Sequence, residues 1–175
     1  MRVLVVVASK HGSTWGIAEA IAGELPSTDA GRALGLTAVL QAAEHAPDPG
    51  GFDVVLVGSA VYAGRWLPTA RDYVSAHAAA LRTRPVWLFS SGPIGEPPFP
   101  PDEPHDAHPM LQLTGARGHR VFPGRLDKAL LNFGERAMVT AMRAPLGDFR
   151  NWEEIRGWAG EVAAELWEQP TGPAV

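Results

Sequence analysis

Three short segments combine the residue types needed to hold an anion beside a flat ring. The first is Ser9-Lys10-His11-Gly12-Ser13-Thr14. Short hydroxyl side chains and a glycine can wrap an anion closely, and free N–H groups at a following helix start add a favourable dipole. The segment lacks GxxxxGK[ST] and GxGxxG, so a nucleoside triphosphate and a dinucleotide pyrophosphate are disfavoured and a single phosphate monoester fits better. Capping of the helix by Ser13 or Ser9 is the plainer alternative. The second segment, Gly58-Ser59-Ala60-Val61-Tyr62-Ala63-Gly64-Arg65-Trp66, alternates small residues with two aromatics. It can set backbone amides and an aromatic face against a heterocycle. Tyr62 is assigned to the ligand, while Trp66 could equally pack in the core. The third, Ser90-Ser91-Gly92-Pro93-Ile94-Gly95, can show backbone groups to a ring edge, or can be an ordinary turn around Pro93.

The elements that must carry these loops are legible as hydrophobic patterns. Val3–Ala8, Phe52–Gly58 and Pro85–Phe89 are continuous apolar runs of buried parallel strands, with weaker strands at Leu36–Leu40 and His119–Phe122. Ile17, Ile21 and Leu25 recur at helical spacing, as do Leu67, Ala70, Val74, His77, Ala78 and Leu81. A last helix starts at Asn151, with Glu154 three residues on in capping-box position, and carries Ile155, Ala159, Val162, Ala163 and Leu166. Alternating strands and helices predict an α/β, doubly wound five-stranded parallel sheet of order 2-1-3-4-5 with helices on both faces. Ligands of such sheets bind beyond the carboxyl ends of the strands, where the three loops meet. Two segments depart from the pattern. Gly92–Pro109 holds seven of the 16 prolines and is expected to be a long extended loop. Leu126–Ala141 sets Leu126, Ala129, Leu130, Phe133, Ala137, Met138 and Ala141 on one helical face, predicting an extra helix.

The 175 residues, 46% hydrophobic and 19% charged, fit one globular domain. Cysteine is absent, which excludes a disulfide scaffold, a thiol nucleophile and an iron–sulfur cluster. No run is long and apolar enough for a transmembrane helix, and the N-terminal run is too short for a signal peptide, so a cytoplasmic protein is expected. The net charge of −4 argues against bulk nucleic-acid binding. That charge is uneven. Residues 111–150 carry seven Arg/Lys against three Asp/Glu, a net +4, which leaves −8 elsewhere. Such a basic element could attract carboxylates or an anionic membrane surface, or be a solvated arginine-rich face that packs Leu130, Phe133 and Met138 on the sheet or a partner subunit. His105-Asp106-Ala107-His108 has metal-ligand spacing but sits among prolines without a third ligand, so no metal is expected. No G-x-S-x-G elbow supports a serine nucleophile, and no catalytic residue is assigned.

The S-x-H-G-S-T of residues 9–14 resembles the S/T-x-T-G-x-T phosphate loop of flavodoxins, with His11 where that pattern has Thr. GSAVYAGRW resembles their second flavin loop. The layout is also similar to the flavodoxin-domain proteins of the menaquinone-dependent protoporphyrinogen oxidase family. There a comparable loop order, an Asn151-Trp152-Glu153-Glu154-Ile155-like start of the last helix, and an extra segment matching residues 123–150 occur together. The resemblance implies a flavodoxin-like fold over 1–175 and an FMN site. In it Ser9, Lys10, His11, Gly12, Ser13 and Thr14 hold the phosphate, with His11 adding charge if protonated. Ser59, Ala60, Val61, Tyr62 and Gly64 line the isoalloxazine ring, Tyr62 stacking on it, and Ser90, Ser91 and Gly92 meet its pyrimidine edge. It implies an FMN-dependent oxidoreductase, protoporphyrinogen oxidase-like with a quinone acceptor and peripheral at the inner face of the membrane. The alternative is a flavodoxin-type electron shuttle that docks to redox partner proteins. A homodimer is also compatible. A non-flavin regulator of receiver-like topology is disfavoured, since the acidic pair after the first strand is missing.

Overall fold

The computed structural model describes residues 1–95 and 103–169. Five parallel strands, β1 (Arg2–Ala8), β2 (Thr37–Ala42), β3 (Val54–Tyr62), β5 (Val86–Ser91) and β6 (Gly118–Phe122), form the sheet in the order β2-β1-β3-β5-β6. This is the expected 2-1-3-4-5 winding. The short β4 (Arg65–Trp66) returns antiparallel along β3. Alternation along β1 explains why it must lie between two helical layers. Val3, Val5 and Val7 join the core beneath α1 (Ser13–Glu24) and α6 (Trp152–Glu168), while Leu4, Val6 and Ala8 join the one beneath α3 (Pro68–Leu81). In the first core Trp158 meets the Phe89 and Phe122 rings edge-on, at 6.0 and 5.6 Å between centroids. Asn151 caps α6 by accepting from the N–H groups of Glu153 and Glu154.

Four elements differ from the sequence reading. A helix α2 (Asp29–Leu34), capped by Thr28, lies where no element was expected; six residues are too few to display a helical period. The expected proline-rich loop to Pro109 ends early, because α4 (Ala107–Thr114) takes Pro109 into its first turn, where a missing N–H costs nothing. Residues 96–102 of that segment lie outside the described residues. The third strand runs on past Gly58 to Tyr62, so most of the second loop is strand. The expected helix over Leu126–Ala141 is broken. Arg125–Leu126 is a strand, β7, paired antiparallel with β8 (Gly147–Asp148), and α5 begins only at Phe133 and ends at Ala141. Asn132 sets that start with a full capping box, its side chain accepting from the Glu135 N–H and the Glu135 carboxylate accepting from its own. No residue of α5 is buried, so it does not pack Phe133 or Met138 on the sheet.

Candidate functional site

At the carboxyl edge of the sheet, β1 ends in the 9–14 segment and α1 begins. Gly12 makes that turn in the left-handed region (φ +79°), which a glycine adopts without strain. It is the N-cap residue, and no side chain caps it. Ser9 and Ser13 are therefore not capping residues, and the first N–H groups of α1 stay open. The Ser9 hydroxyl is buried without a hydrogen-bond partner among the described residues.

What surrounds this loop comes from more than a hundred residues further on. The segment between β6 and α6 folds back across it. The Arg125 backbone N–H donates to Ser13 Oγ at 2.9 Å, and Arg125 Nη2 lies 3.5 Å from the His11 carbonyl. Arg150 Nη1 donates to the Ser13 carbonyl at 3.3 Å, while its other nitrogens grip Asp148. From α5, Glu135 forms an ion pair with Lys10 and stands 3.2 Å from His11 Nε2. Lys10 first, then the Asn132 N–H and His11, pull the Glu135 carboxyl down to about 2. Lys10 thus pairs with a carboxylate of the chain and His11 Nε2 stands beside the same carboxylate, while both residues line the smaller hollow described below. Ser13 keeps a use, since a hydroxyl that accepts from Arg125 still has its own proton to donate.

The β3–β4 hairpin forms the second wall. Ala63 and Gly64 both take positive φ (50° and 73°), the twist of a two-residue hairpin turn. Asp106, buried, pins the hairpin by accepting from the Trp66 N–H at 2.9 Å, with Arg65 Nη1 at 3.3 Å. Tyr62 at the tip is 41% exposed, and Lys10 Nζ lies 5.4 Å from its ring centroid. Burial, with the Glu135 charge, pushes the Tyr62 phenol up to about 12, so it remains protonated.

Two adjoining hollows result. One of about 40 Å³ lies among Ser9, Thr14, Ala60, Tyr62, Arg125 and Leu131. The other, about 240 Å³, lies between Val61–Tyr62, Ser91–Gly92 with Ile94, and Val139 and Met142 of the returning segment. Ser91, only 2% exposed, has a hydroxyl without a partner among the described residues.

Of the expected ring contacts, Ala60, Val61, Tyr62, Ser91 and Gly92 line the larger hollow. Three do not. Ser59 is fully buried; it accepts from the Leu67 N–H and donates to the Ala60 carbonyl, locking the return of the chain after the hairpin. Ser90 is fully buried, accepting from Trp66 Nε1–H at 2.8 Å and lying 2.7 Å from His119 Nε2. Gly64 faces the His105 ring and lines neither hollow. Ser59 and Ser90 sit at fully buried positions of β3 and β5, where groups of the chain itself pair their hydroxyls. Trp66 packs in the core. The His105 ring lies against Gly64, and His108 Nε2 stands 2.9 Å from Gln112 Nε2. Arg125, Glu135 and Arg150 were missed. The sequence signal for the two arginines is the basic bias of residues 111–150, which names no contact, and for Glu135 its capping-box spacing from Asn132.

The comparisons agree with this geometry. A family model described as Flavodoxin domain matches residues 4–151. No curated protein matches the chain. Among solved structures, an archaeal flavodoxin superposes with a TM-score of 0.63 at 14% identity, over 95% of this chain and 99% of that one. The flavodoxin of Streptococcus pneumoniae TIGR4 gives 0.61 at 20% identity, over 97% and 99%. Rubredoxin oxygen:oxidoreductase from Desulfovibrio gigas gives 0.59 at 14%, over 94% of this chain but only 36% of its own. With a family match across residues 4–151, beside the loop-to-helix turn at Gly12 and the Tyr62 hairpin, the chain belongs to the flavodoxin-domain family, whose cofactor is FMN.

Proposed function

We propose that this protein is an electron carrier that holds FMN in the two hollows and exchanges electrons with redox partner proteins. The observation that carries this is the pair of buried hydroxyls, Ser9 Oγ and Ser91 Oγ, without partners among the described residues at opposite ends of the site. Buried polar groups are nearly always paired, and an orphan pair at a ligand edge marks where a polar ligand belongs. The residues fit the cofactor. Ser9, Ser13, Thr14 and the open N–H groups of α1 take the phosphate, with Arg125 supplying positive charge beside them while Lys10 is paired with Glu135. Ala60, Val61 and Tyr62 form one wall for the ring, Ser91 and Gly92 meet its polar edge, and Val139 and Met142 close it from the segment side. FMN supplies reversible one- and two-electron transfer when bound; the chain sets its affinity and potential by stacking, hydrogen bonds and exclusion of water.

Oxidation of protoporphyrinogen with a quinone acceptor rests on likeness of sequence layout alone. The comparisons offer no counterpart to it, and the shuttle reading takes precedence. No helix among the described residues is long and apolar enough to cross a membrane. A cytoplasmic setting accords with a chain that has no cysteine to keep oxidised. The test is a titration with FMN followed by visible absorption and flavin fluorescence. Micromolar or tighter binding is expected; no binding at those concentrations overturns the reading. Porphyrin formation from protoporphyrinogen in the presence of a quinone would restore the oxidase assignment.

A further inference from the structure

A buried titratable side chain outside the two hollows is tied to the hairpin that walls them. The His119 side chain of β6 is 2% exposed. Its Nε2 lies 2.7 Å from Ser90 Oγ, and the same hydroxyl accepts from Trp66 Nε1–H at 2.8 Å. The donor count fixes the protons. An indole N–H can only donate, so Ser90 Oγ accepts from Trp66 and has a single proton of its own to give. That hydroxyl makes no other hydrogen bond among the described residues. Ser90 therefore donates to His119 Nε2, which is unprotonated. The ring carries its proton on Nδ1, where Glu103 Oε1 stands 3.5 Å away. Burial favours that neutral ring and pulls the His119 pKa below its ordinary 6.5, against a weaker opposing pull from Glu103. The other charged and titratable groups near β4 and the start of α4 are engaged elsewhere. Asp106 holds Arg65 and the Trp66 N–H, His108 stands beside Gln112, and the His105 ring lies against Gly64.

We infer that His119 is a positioning residue for the flavin wall, acting through Ser90 and Trp66, so that protonation of its ring loosens the β3–β4 hairpin. For its consequence at the flavin the inference rests on the electron-carrier reading. Trp66 pairs with Val61 across the hairpin, Val61 and Tyr62 line the larger hollow, and Ser91, next to Ser90, lines it from β5. A proton on Nε2 turns an acceptor into a donor. Ser90 Oγ then faces two N–H donors, its own proton loses its acceptor, and a charge is buried behind Trp66. The network is whole only with a neutral ring. Because folding lowers this pKa, the network's contribution is full above about 6.5 and is lost as the pH falls through the lower folded value.

The first measurement needs no flavin. In an NMR titration of the full chain from about pH 8 to about pH 5, the Trp66 indole N–H resonance should move together with the His119 ring protons, with a shared midpoint below 6.5. In His119→Gln the side-chain carbonyl can accept from Ser90 in place of Nε2, so the variant should fold and its Trp66 resonance should hold still. The second measurement is riboflavin affinity, which avoids the titrating phosphate of FMN. It should weaken about fivefold or more in the wild type from about pH 7.5 to about pH 5, and stay within about twofold in His119→Gln. A Trp66 resonance that ignores His119 overturns the inference, as does a wild-type riboflavin affinity that is equal at both pH values. So does a pH dependence that survives in His119→Gln, which would assign it to another group such as His11. If riboflavin binds at neither pH, the electron-carrier reading fails, and the Trp66 resonance still decides whether His119 acts on the hairpin.

Discussion

Arg125 offers the sharpest test of how the cofactor site is built. Its guanidinium lies against the His11 carbonyl at the rim of the 9–14 loop, and it makes no ion pair among the described residues. Its backbone N–H, not its side chain, binds Ser13 Oγ, so Arg125→Met removes the charge and keeps the anchor. A hydrogen bond to a charged group contributes about 1.5–3 kcal/mol. Arg125 is half-buried, and screening by water brings the expected loss to about 1–2 kcal/mol. That is roughly a 5- to 30-fold weaker FMN dissociation constant. Riboflavin, which has the ring and ribityl chain but no phosphate, should bind the wild type and Arg125→Met within about twofold of each other, because the lost interaction is with the anion alone. The assay is fluorescence titration of both flavins against both proteins, repeated at two salt concentrations; the wild type should show the steeper salt dependence for FMN. Equal loss of FMN and riboflavin would show that Arg125 only shapes the loop. Unchanged FMN affinity would refute its role at the phosphate.

Other consequences follow from the same contacts. Tyr62→Ala should weaken FMN and riboflavin alike and shift the flavin potentials, as measured by titration and spectroelectrochemistry; unchanged values in both would remove Tyr62 from the ring wall. Asp106→Ala leaves the buried Trp66 N–H unpaired and should cost about 1–3 kcal/mol in urea unfolding, with looser flavin binding through the hairpin. Asn132→Ala should cost about 1 kcal/mol of local stability. Because α5 has no buried residue, that loss should appear in amide exchange of α5 and leave the global melting temperature unmoved. The Glu135 latch has a defined pH window. A carboxyl depressed to about 2 contributes stability in full above its ordinary value near 4.5, and that contribution fades as pH falls toward 2. Amide exchange in α5 should therefore accelerate, relative to the sheet, as pH drops below about 4.5. In Glu135→Gln that pH dependence should vanish; its persistence would show that the latch does not hold α5.

The sequence by itself determined the layers. Continuous valine-rich runs can be satisfied only by burial on both faces, so β1, β3 and β5 and their parallel winding are written locally, as is the Gly12 turn into α1. Ten of the fourteen expected cofactor-site residues line one hollow or the other. Ser59 and Ser90 do not, because β3 and β5 run on past Gly58 and Phe89 and bury both hydroxyls against partners of the chain itself, and a strand's end is set by its neighbours' hydrogen bonds, not by its own composition. The extra helix was legible as an amphipathic pattern, but the pattern ran through Leu130 and Leu126, and only the Asn132–Glu135 capping box fixed where it starts. What tertiary structure alone decided is that this segment returns across the 9–14 loop. The contacts of Lys10 and His11 with Glu135, and of Ser13 with Arg125, join residues more than a hundred positions apart. No local period, cap or motif encodes such a pairing. It exists because β7 pairs with β8 at the sheet's carboxyl edge, and that geometry places α5 over the site with its charge inward and Phe133 facing water.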